Sequence, residues 1–291
     1  MMAAPRSAIA CRPDDIADQV AETAALALLA ELETWPKPGL VSHIDCGSHT
    51  DMDARTFRAS VAAIRPFFGR LALAGAAGSA MDELRAIGLE AERAMLEKTF
   101  GANTHRGAIF GLGLLCAAAG AIWTGESRFS PPQGARILTA TVRRQWGASI
   151  MRGPIPLLSH GTEALRRYGA GGARAQAAAG FPHALEVGLP ALRCGRTLAP
   201  GDPEAARVHA FFALLESLQD TNLLYRGGTD GLRFAQEQAR HFLERGGVKQ
   251  VGWREQAAAV HRAFIARRLS PGGCADLLAI TLFLDAFDTR R

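Results

Sequence analysis

The chain has 291 residues, 48% hydrophobic and 21% charged, with a formal net charge of +5. This composition excludes intrinsic disorder and supplies enough apolar residues for a large core. The basic pairs Arg143-Arg144, Arg166-Arg167 and Arg267-Arg268 are scattered and lack interleaved aromatics. That argues against nucleic acid and leaves an Arg-rich solvated surface or an anionic small substrate such as a polyphosphate.

Ala and Leu dominate, while Val, Ile and Thr are sparse and rarely alternate. The expected fold is therefore all-α: one multi-helix domain of roughly ten to thirteen helices over residues 13–291, with polar loops converging on one pocket and a flexible tail at 1–12. The apolar run Ala24–Ala30 is too short, and too closely bracketed by Glu22 and Glu31, for a signal or membrane helix. Five cysteines with no Cys-x-x-Cys imply reduced thiols and a cytoplasmic protein.

In chain order, Asp14 or Asp15 caps a first helix to about Thr34, with Ala17, Val20, Ala24, Leu28 and Leu32 on one face. Trp35-Pro-Lys-Pro-Gly39 ends it in an extended turn. The following loop carries His49, Asp51 and Asp53. Asp53 is the N-cap of a helix with Phe57, Val61, Ile64, Phe68 and Leu71 inward. His49 and Asp51 have no such structural assignment and suit a hard cation, although His-x-Asp spacing is also ordinary turn chemistry.

A helix over about 80–99 buries Leu84, Ile87, Ala91 and Met95 and turns Glu83, Glu90, Arg93 and Glu97 to solvent. Glu92 falls toward the interior, where a carboxylate needs a partner: a nearby Arg, or a loop that it caps. The corner Asn103-Thr-His-Arg-Gly107 then opens an apolar helix to about Trp123. A cation, an imidazole and a helix N-terminus beside a buried acid suit an anionic, metal-bound ligand.

Ser130-Pro-Pro caps a helix ending at Trp146-Gly147. Residues 148–200, broken by glycines, form short helices and turns, either a surface insertion or a substrate lid. Asp202-Pro203 starts a helix ending at Asp220-Thr-Asn222, and Thr229-Asp230 starts the next, to about Arg245. Another covers 252–268. Ser270-Pro-Gly-Gly-Cys-Ala-Asp276 opens the last, where Gly272 and Gly273 allow backbone approach to a phosphate. Asp276 is accounted for by the helix dipole. There is no P-loop, no dinucleotide fingerprint, no His-Glu-x-x-His and no Gly-x-Ser-x-Gly.

Five motifs in order resemble the triphosphoribosyl-dephospho-CoA synthase family: Pro36-Lys-Pro-Gly-Leu-Val41; Ser48-His-Thr-Asp-Met-Asp53; Glu92 with Asn103-Thr-His-Arg-Gly-Ala-Ile-Phe110; Asp220-Thr-Asn222 with Arg226-Gly-Gly228; and Ser270–Ala279. The length resembles the stand-alone form, with the malonate decarboxylase version favoured over citrate lyase. Arg106 stands where Lys is common. Gln176 stands where the pattern has an acid, so that segment is left out of the catalytic set.

The resemblance implies joining of ATP to 3′-dephospho-CoA with loss of adenine, giving the prosthetic-group precursor of an acyl carrier protein that downstream machinery loads. The acceptor 2′-hydroxyl attacks the anomeric carbon of the ATP ribose, and the triphosphate is retained. For that chemistry Glu92 is the expected base or charge stabiliser, and His105 or His49 assists adenine departure. Mg²⁺ is the expected cofactor, with Asp51 and Asp220 as ligands. Lys37, Arg106 and Arg226 are expected on phosphate, with Asn103, Thr104, Asn222, Ser270, Gly272 and Gly273 as further substrate contacts. Two other readings fit the same residues: an Mg²⁺-dependent nucleotide hydrolase or N-glycohydrolase, and a non-catalytic helical module that binds CoA or a carrier protein.

Overall fold

The computed structural model describes residues 13–123, 133–155 and 160–289. Among them are twelve α-helices and no strand, in a single domain. They are α1 (Pro13–Leu32), α2 (Ala54–Ala76), α3 (Met81–Lys98), α4 (Arg106–Ile122), α5 (Gly134–Arg152), α6 (His160–Tyr168), α7 (Gly172–Ala178), α8 (Leu189–Leu198), α9 (Pro203–Ser217), α10 (Thr221–Glu244), α11 (Trp253–Ala266) and α12 (Gly272–Thr289). A π-helical turn, His183–Gly188, leads directly into α8. The expected tail at 1–12 and the Ser130-Pro-Pro cap lie outside the described residues.

The most apolar element, α4, is the centre. Its residues from Gly111 to Gly120 are all buried, and α1, α2, α3, α5, α7 and α12 pack around it. Burying a leucine such as Leu112 or Leu115 contributes about 1.5–3 kcal/mol. The α2–α4 crossing is backbone to backbone: a Cβ on Gly75 would fall on the Ala117 carbonyl, and one on Gly120 on the Ala72 carbonyl. Glycine is required at both positions for this close approach.

Several boundaries differ from the sequence reading. Asp14 and Asp15 lie within the described part of α1, Pro13–Leu32, so neither caps it. Helix α5 passes through Gly147 to Arg152, because Gly147 serves packing: its Cβ would lie 2.7 Å from the Ala178 carbonyl. Arg174 then caps that end of α5, donating to the carbonyls of Ile150, Met151, Gly153 and Pro154.

Asp220 does not end a helix; it begins one. Helix α9 stops at Ser217, and Asp220 is the N-cap of α10, which bends at Gly228 (φ 62°) where the sequence suggested a fresh start. Residues 172–198 are not a surface insertion. Phe181, Leu189 and Leu192 belong to the main core. Helix α6 instead rests on α10 through a separate small cluster of Ala164, Ala170 and Leu224. The Asp53 N-cap has the expected form, its carboxylate accepting from the Thr56 amide at 2.8 Å.

Candidate active site

The N-termini of α4, α10 and α12 meet, and two aspartates join them. Asp220 accepts from the amides of Asn222 (2.8 Å) and Leu223 (3.1 Å) through Oδ1, and from Cys274 (2.9 Å) through Oδ2. One carboxylate thus caps α10 and α12 together. Burial pushes its pKa up, and the three amide bonds oppose the rise. Asp276, in the first turn of α12, crosses to α4. It accepts from the Ala108 amide, and its Oδ2 occupies the space a side chain at Gly107 would need.

Glycines keep this junction open. A Cβ on Gly272 would lie 2.7 Å from Asn222 Nδ2, and one on Gly273 would lie 2.9 Å from Asp220 Oδ2. The Asp276 carboxyl is driven well above the usual range, first by burial and then by the charges of Glu31 and Asp220. Yet the residue is only half-buried. The carboxyl is thus deep among its neighbours without being sealed from solvent.

Lys37 and Glu31 form a fully enclosed ion pair. Burial lowers the Lys37 pKa and raises that of Glu31, and each charge holds the other against that drift. The Lys37 turn is fixed from behind by His261. The His261 Nδ1 lies 2.7 Å from the Lys37 carbonyl, and its Nε2 lies 3.0 Å from Asp45 Oδ1. Trp35 Nε1 donates to the other Asp45 oxygen.

His105 is buried beside this pair. The Thr104 hydroxyl donates to Ser60 Oγ at 2.8 Å, which leaves the Ser60 proton for His105 Nδ1 at 2.7 Å. The proton of the neutral ring is therefore on Nε2, and Nε2 has no partner among the described residues. Burial, and then the Lys37 ammonium, push the His105 pKa down to about 3.

The rim carries the exposed charge. His49 Nε2 lies 2.8 Å from Ser270 Oγ, and its Nδ1 lies 3.6 Å from the 62%-exposed Asp51. Burial lowers the His49 pKa, the charge of Arg226 adds to that, and Asp51 opposes. Arg226 is exposed and is held by one bond to the Arg268 carbonyl. At the α3–α4 corner, Arg106 Nε donates to Glu92 Oε2 at 2.9 Å, and exposed Asn103 accepts from the Arg106 amide at 3.2 Å.

Residues 17–291 match the family described as ATP:dephospho-CoA triphosphoribosyl transferase (CitG). The chain is 40% identical over 282 residues to a probable 2-(5″-triphosphoribosyl)-3′-dephosphocoenzyme-A synthase of Stutzerimonas stutzeri, covering 95% of this chain and 94% of that protein. It is 38% identical over 281 residues to the 2-(5″-triphosphoribosyl)-3′-dephosphocoenzyme-A synthase of Klebsiella pneumoniae, covering 93% and 91%. This chain belongs to the ATP:dephospho-CoA triphosphoribosyl transferase family. No solved structure matches it.

For a triphosphoribosyl transferase, the residues expected from sequence fall into three settings. His49, Ser270, Asn222, Gly272, Gly273 and Arg226 line one contiguous face, with Asp220 behind it. Thr104 and His105 are tied together through Ser60 of α2 at the start of α4. Glu92 is spent on Arg106 and Lys37 on Glu31, so neither presents a free charge. Asp220 already accepts three amide hydrogens on its two oxygens, a poor starting point for a metal ligand.

Among the described residues no three His, Cys, Asp or Glu side chains are grouped to hold a metal. Mg²⁺ with nucleotides commonly uses one or two carboxylates plus phosphates and water, and exposed Asp51 meets that need.

Sequence reasoning missed Glu31, Ser60 and Asp276. The first two were readable: Glu31 follows Ala24 and Leu28 at helical spacing, and Ser60 stands between Phe57 and Ile64 on one face. Asp276 gave no such signal, because its contact is with another helix.

Proposed function

We propose that this protein joins ATP to 3′-dephospho-CoA, giving 2′-(5″-triphosphoribosyl)-3′-dephospho-CoA and free adenine. The observation that carries the reading is family membership across residues 17–291, supported by the meeting of three helix N-termini at glycine-lined, acid-bearing positions. Exposed Arg226 and partly exposed Arg106 supply cations for the triphosphate. Mg²⁺ would be held by Asp51 together with the nucleotide's phosphates, where it screens their charge.

The protein's own groups orient the sugars and exclude water. Arg106, positioned by Glu92 and Asn103, faces the nucleotide from the start of α4. His49, with Ser270 behind it, is the ring at the rim that assists adenine departure. His105 is neutral and buried, so it acts as a hydrogen-bond donor rather than as an acid. The product serves as the prosthetic-group precursor for an acyl carrier protein, of malonate decarboxylase or of citrate lyase, in the cytoplasm. Among the described residues no helix is long and apolar enough to cross a membrane.

The test is mass analysis of the protein incubated with ATP, Mg²⁺ and 3′-dephospho-CoA. The expected result is an adduct carrying an intact triphosphoribosyl group. ADP or AMP formation without an adduct would favour a nucleotide hydrolase, and binding without turnover a carrier module.

A further inference from the structure

One buried group remains without a use in the fold, and it lies next to an acid that sequence reasoning set aside. The unpartnered Nε2–H of His105 is dry: the residue is 3% exposed. An unsatisfied buried donor is costly, typically about 1–3 kcal/mol, and its persistence points to an acceptor that arrives with a ligand. His105 directly precedes Arg106-Gly107-Ala108, the turn on which the Asp276 carboxylate rests. Lys37 is the charge that acts on His105, and Glu31, bonded to Lys37, acts on Asp276. The dry donor at His105 and the contacts of the half-buried Asp276 carboxylate at Gly107 and Ala108 thus fall within one turn at the start of α4.

A ribose with adjacent free 2′- and 3′-hydroxyls fits such a pair. One hydroxyl donates to the carboxylate, and the other accepts from the imidazole. A 3′-phosphate in the second position would bring negative charge against Asp276, Glu31 and Asp220. Like charges at close range are strongly unfavourable in a site of low polarity.

Building on the transferase reading above, we propose that Asp276 and His105 form the acceptor-ribose subsite: Asp276 takes the proton of the attacking 2′-hydroxyl, His105 Nε2–H holds the 3′-hydroxyl, and the neighbouring acids reject CoA in favour of its 3′-dephospho form. In this step the O2′–H bond breaks and its proton passes to the Asp276 carboxylate. The freed oxygen pair forms the bond to the anomeric carbon of the ATP ribose. The C–N bond to adenine breaks, and its electron pair leaves with adenine, which takes a proton from water. Asp276 then returns its proton to solvent. Burial and the neighbouring acids make the Asp276 carboxylate more basic than an ordinary one, which favours proton acceptance. Glu92, engaged by Arg106, is not needed as the base.

The experiment compares the full-length parent with Asp276→Asn, and with Asp276→Ser should the first not fold. Circular dichroism and ATP calorimetry establish that the variant is folded and binds ATP. Steady-state turnover and the ratio of CoA to 3′-dephospho-CoA dissociation constants are then measured. The expected results are a loss in kcat of about a hundredfold, ATP affinity within a few-fold of the parent, and a CoA discrimination ratio reduced at least fivefold. A kcat loss below tenfold, or an unchanged ratio, would overturn the assignment. A parent that forms no adduct would instead overturn the transferase reading, which separates the two failures.

Discussion

His105 Nδ1 lies 2.7 Å from the Ser60 hydroxyl, which is also 2.8 Å from the Thr104 hydroxyl. Because Thr104 donates to Ser60, Ser60 donates to His105, and Nε2 keeps the hydrogen. With its pKa pushed down to about 3 by burial and by Lys37, the ring stays neutral throughout the working range. Nitrogen-15 NMR of the imidazoles is expected to show His105 as the neutral Nε2–H tautomer from pH 8 to pH 5. The unfolded chain takes up this proton near pH 6.5, so the contribution of His105 to stability is present above that pH and is lost as pH falls toward 3. A ring titrating near pH 6.5 in the folded protein would contradict this placement.

The buried Lys37–Glu31 pair predicts a sharp asymmetry between single and double substitution. Lys37→Met leaves the Glu31 carboxylate enclosed without a counter-charge, at a cost of about 3–5 kcal/mol in denaturant unfolding. Lys37→Met combined with Glu31→Leu removes both charges and is expected to recover most of that loss. If the double variant is as unstable as the single, the pair is not the source of the effect.

Asp276 has the opposite pH signature to an ordinary surface acid. Its folded carboxyl holds a proton more tightly than the unfolded chain does, because of burial and the charges of Glu31 and Asp220. From about pH 4 up through the raised folded pKa, the folded state binds more protons, so this group makes stability fall as pH rises. Asp276→Asn removes that term while an amide oxygen can still accept from Ala108. The variant is expected to melt higher than the parent at pH 7.5, with the advantage shrinking toward pH 4. The slopes should differ by at most about 1.4 kcal/mol per pH unit. Parallel melting profiles would refute the assignment.

Glu92 and Arg106 form a partly exposed pair at the mouth of the site, with side chains 26% and 42% exposed. Pairs of this kind contribute about 0–1 kcal/mol, so Glu92 matters through where it holds Arg106. Glu92→Gln is expected to lower kcat less than tenfold, whereas Arg106→Ala raises the KM for ATP by tenfold or more. A Glu92→Gln variant inactive at saturating ATP would restore Glu92 as the base.

The helical class, the inward faces of α2 and α3, and the Asp53 and Asp202 caps were legible because each depends on residues within a turn or two of one another. Helix ends were misread where a residue answers to a distant partner. Gly147 appeared to end a helix, but its small size serves contact with Ala178. Asp220 appeared to close one helix, but it opens another and clamps a third through Cys274. At the site, Glu92 was legible as an acid seeking a partner, and its partner is Arg106. Asp276 was not, because a helix dipole sufficed to explain it and its crossing to Gly107 and Ala108 is set only by tertiary packing.

The most direct measurement is the release of adenine from ATP by the purified protein in Mg²⁺, with and without 3′-dephospho-CoA. The account predicts no adenine from ATP alone, and one adenine for each triphosphoribosyl adduct once the acceptor is added. Adenine released at the same rate without the acceptor would contradict it, because water rather than the ribose hydroxyl would then be the nucleophile.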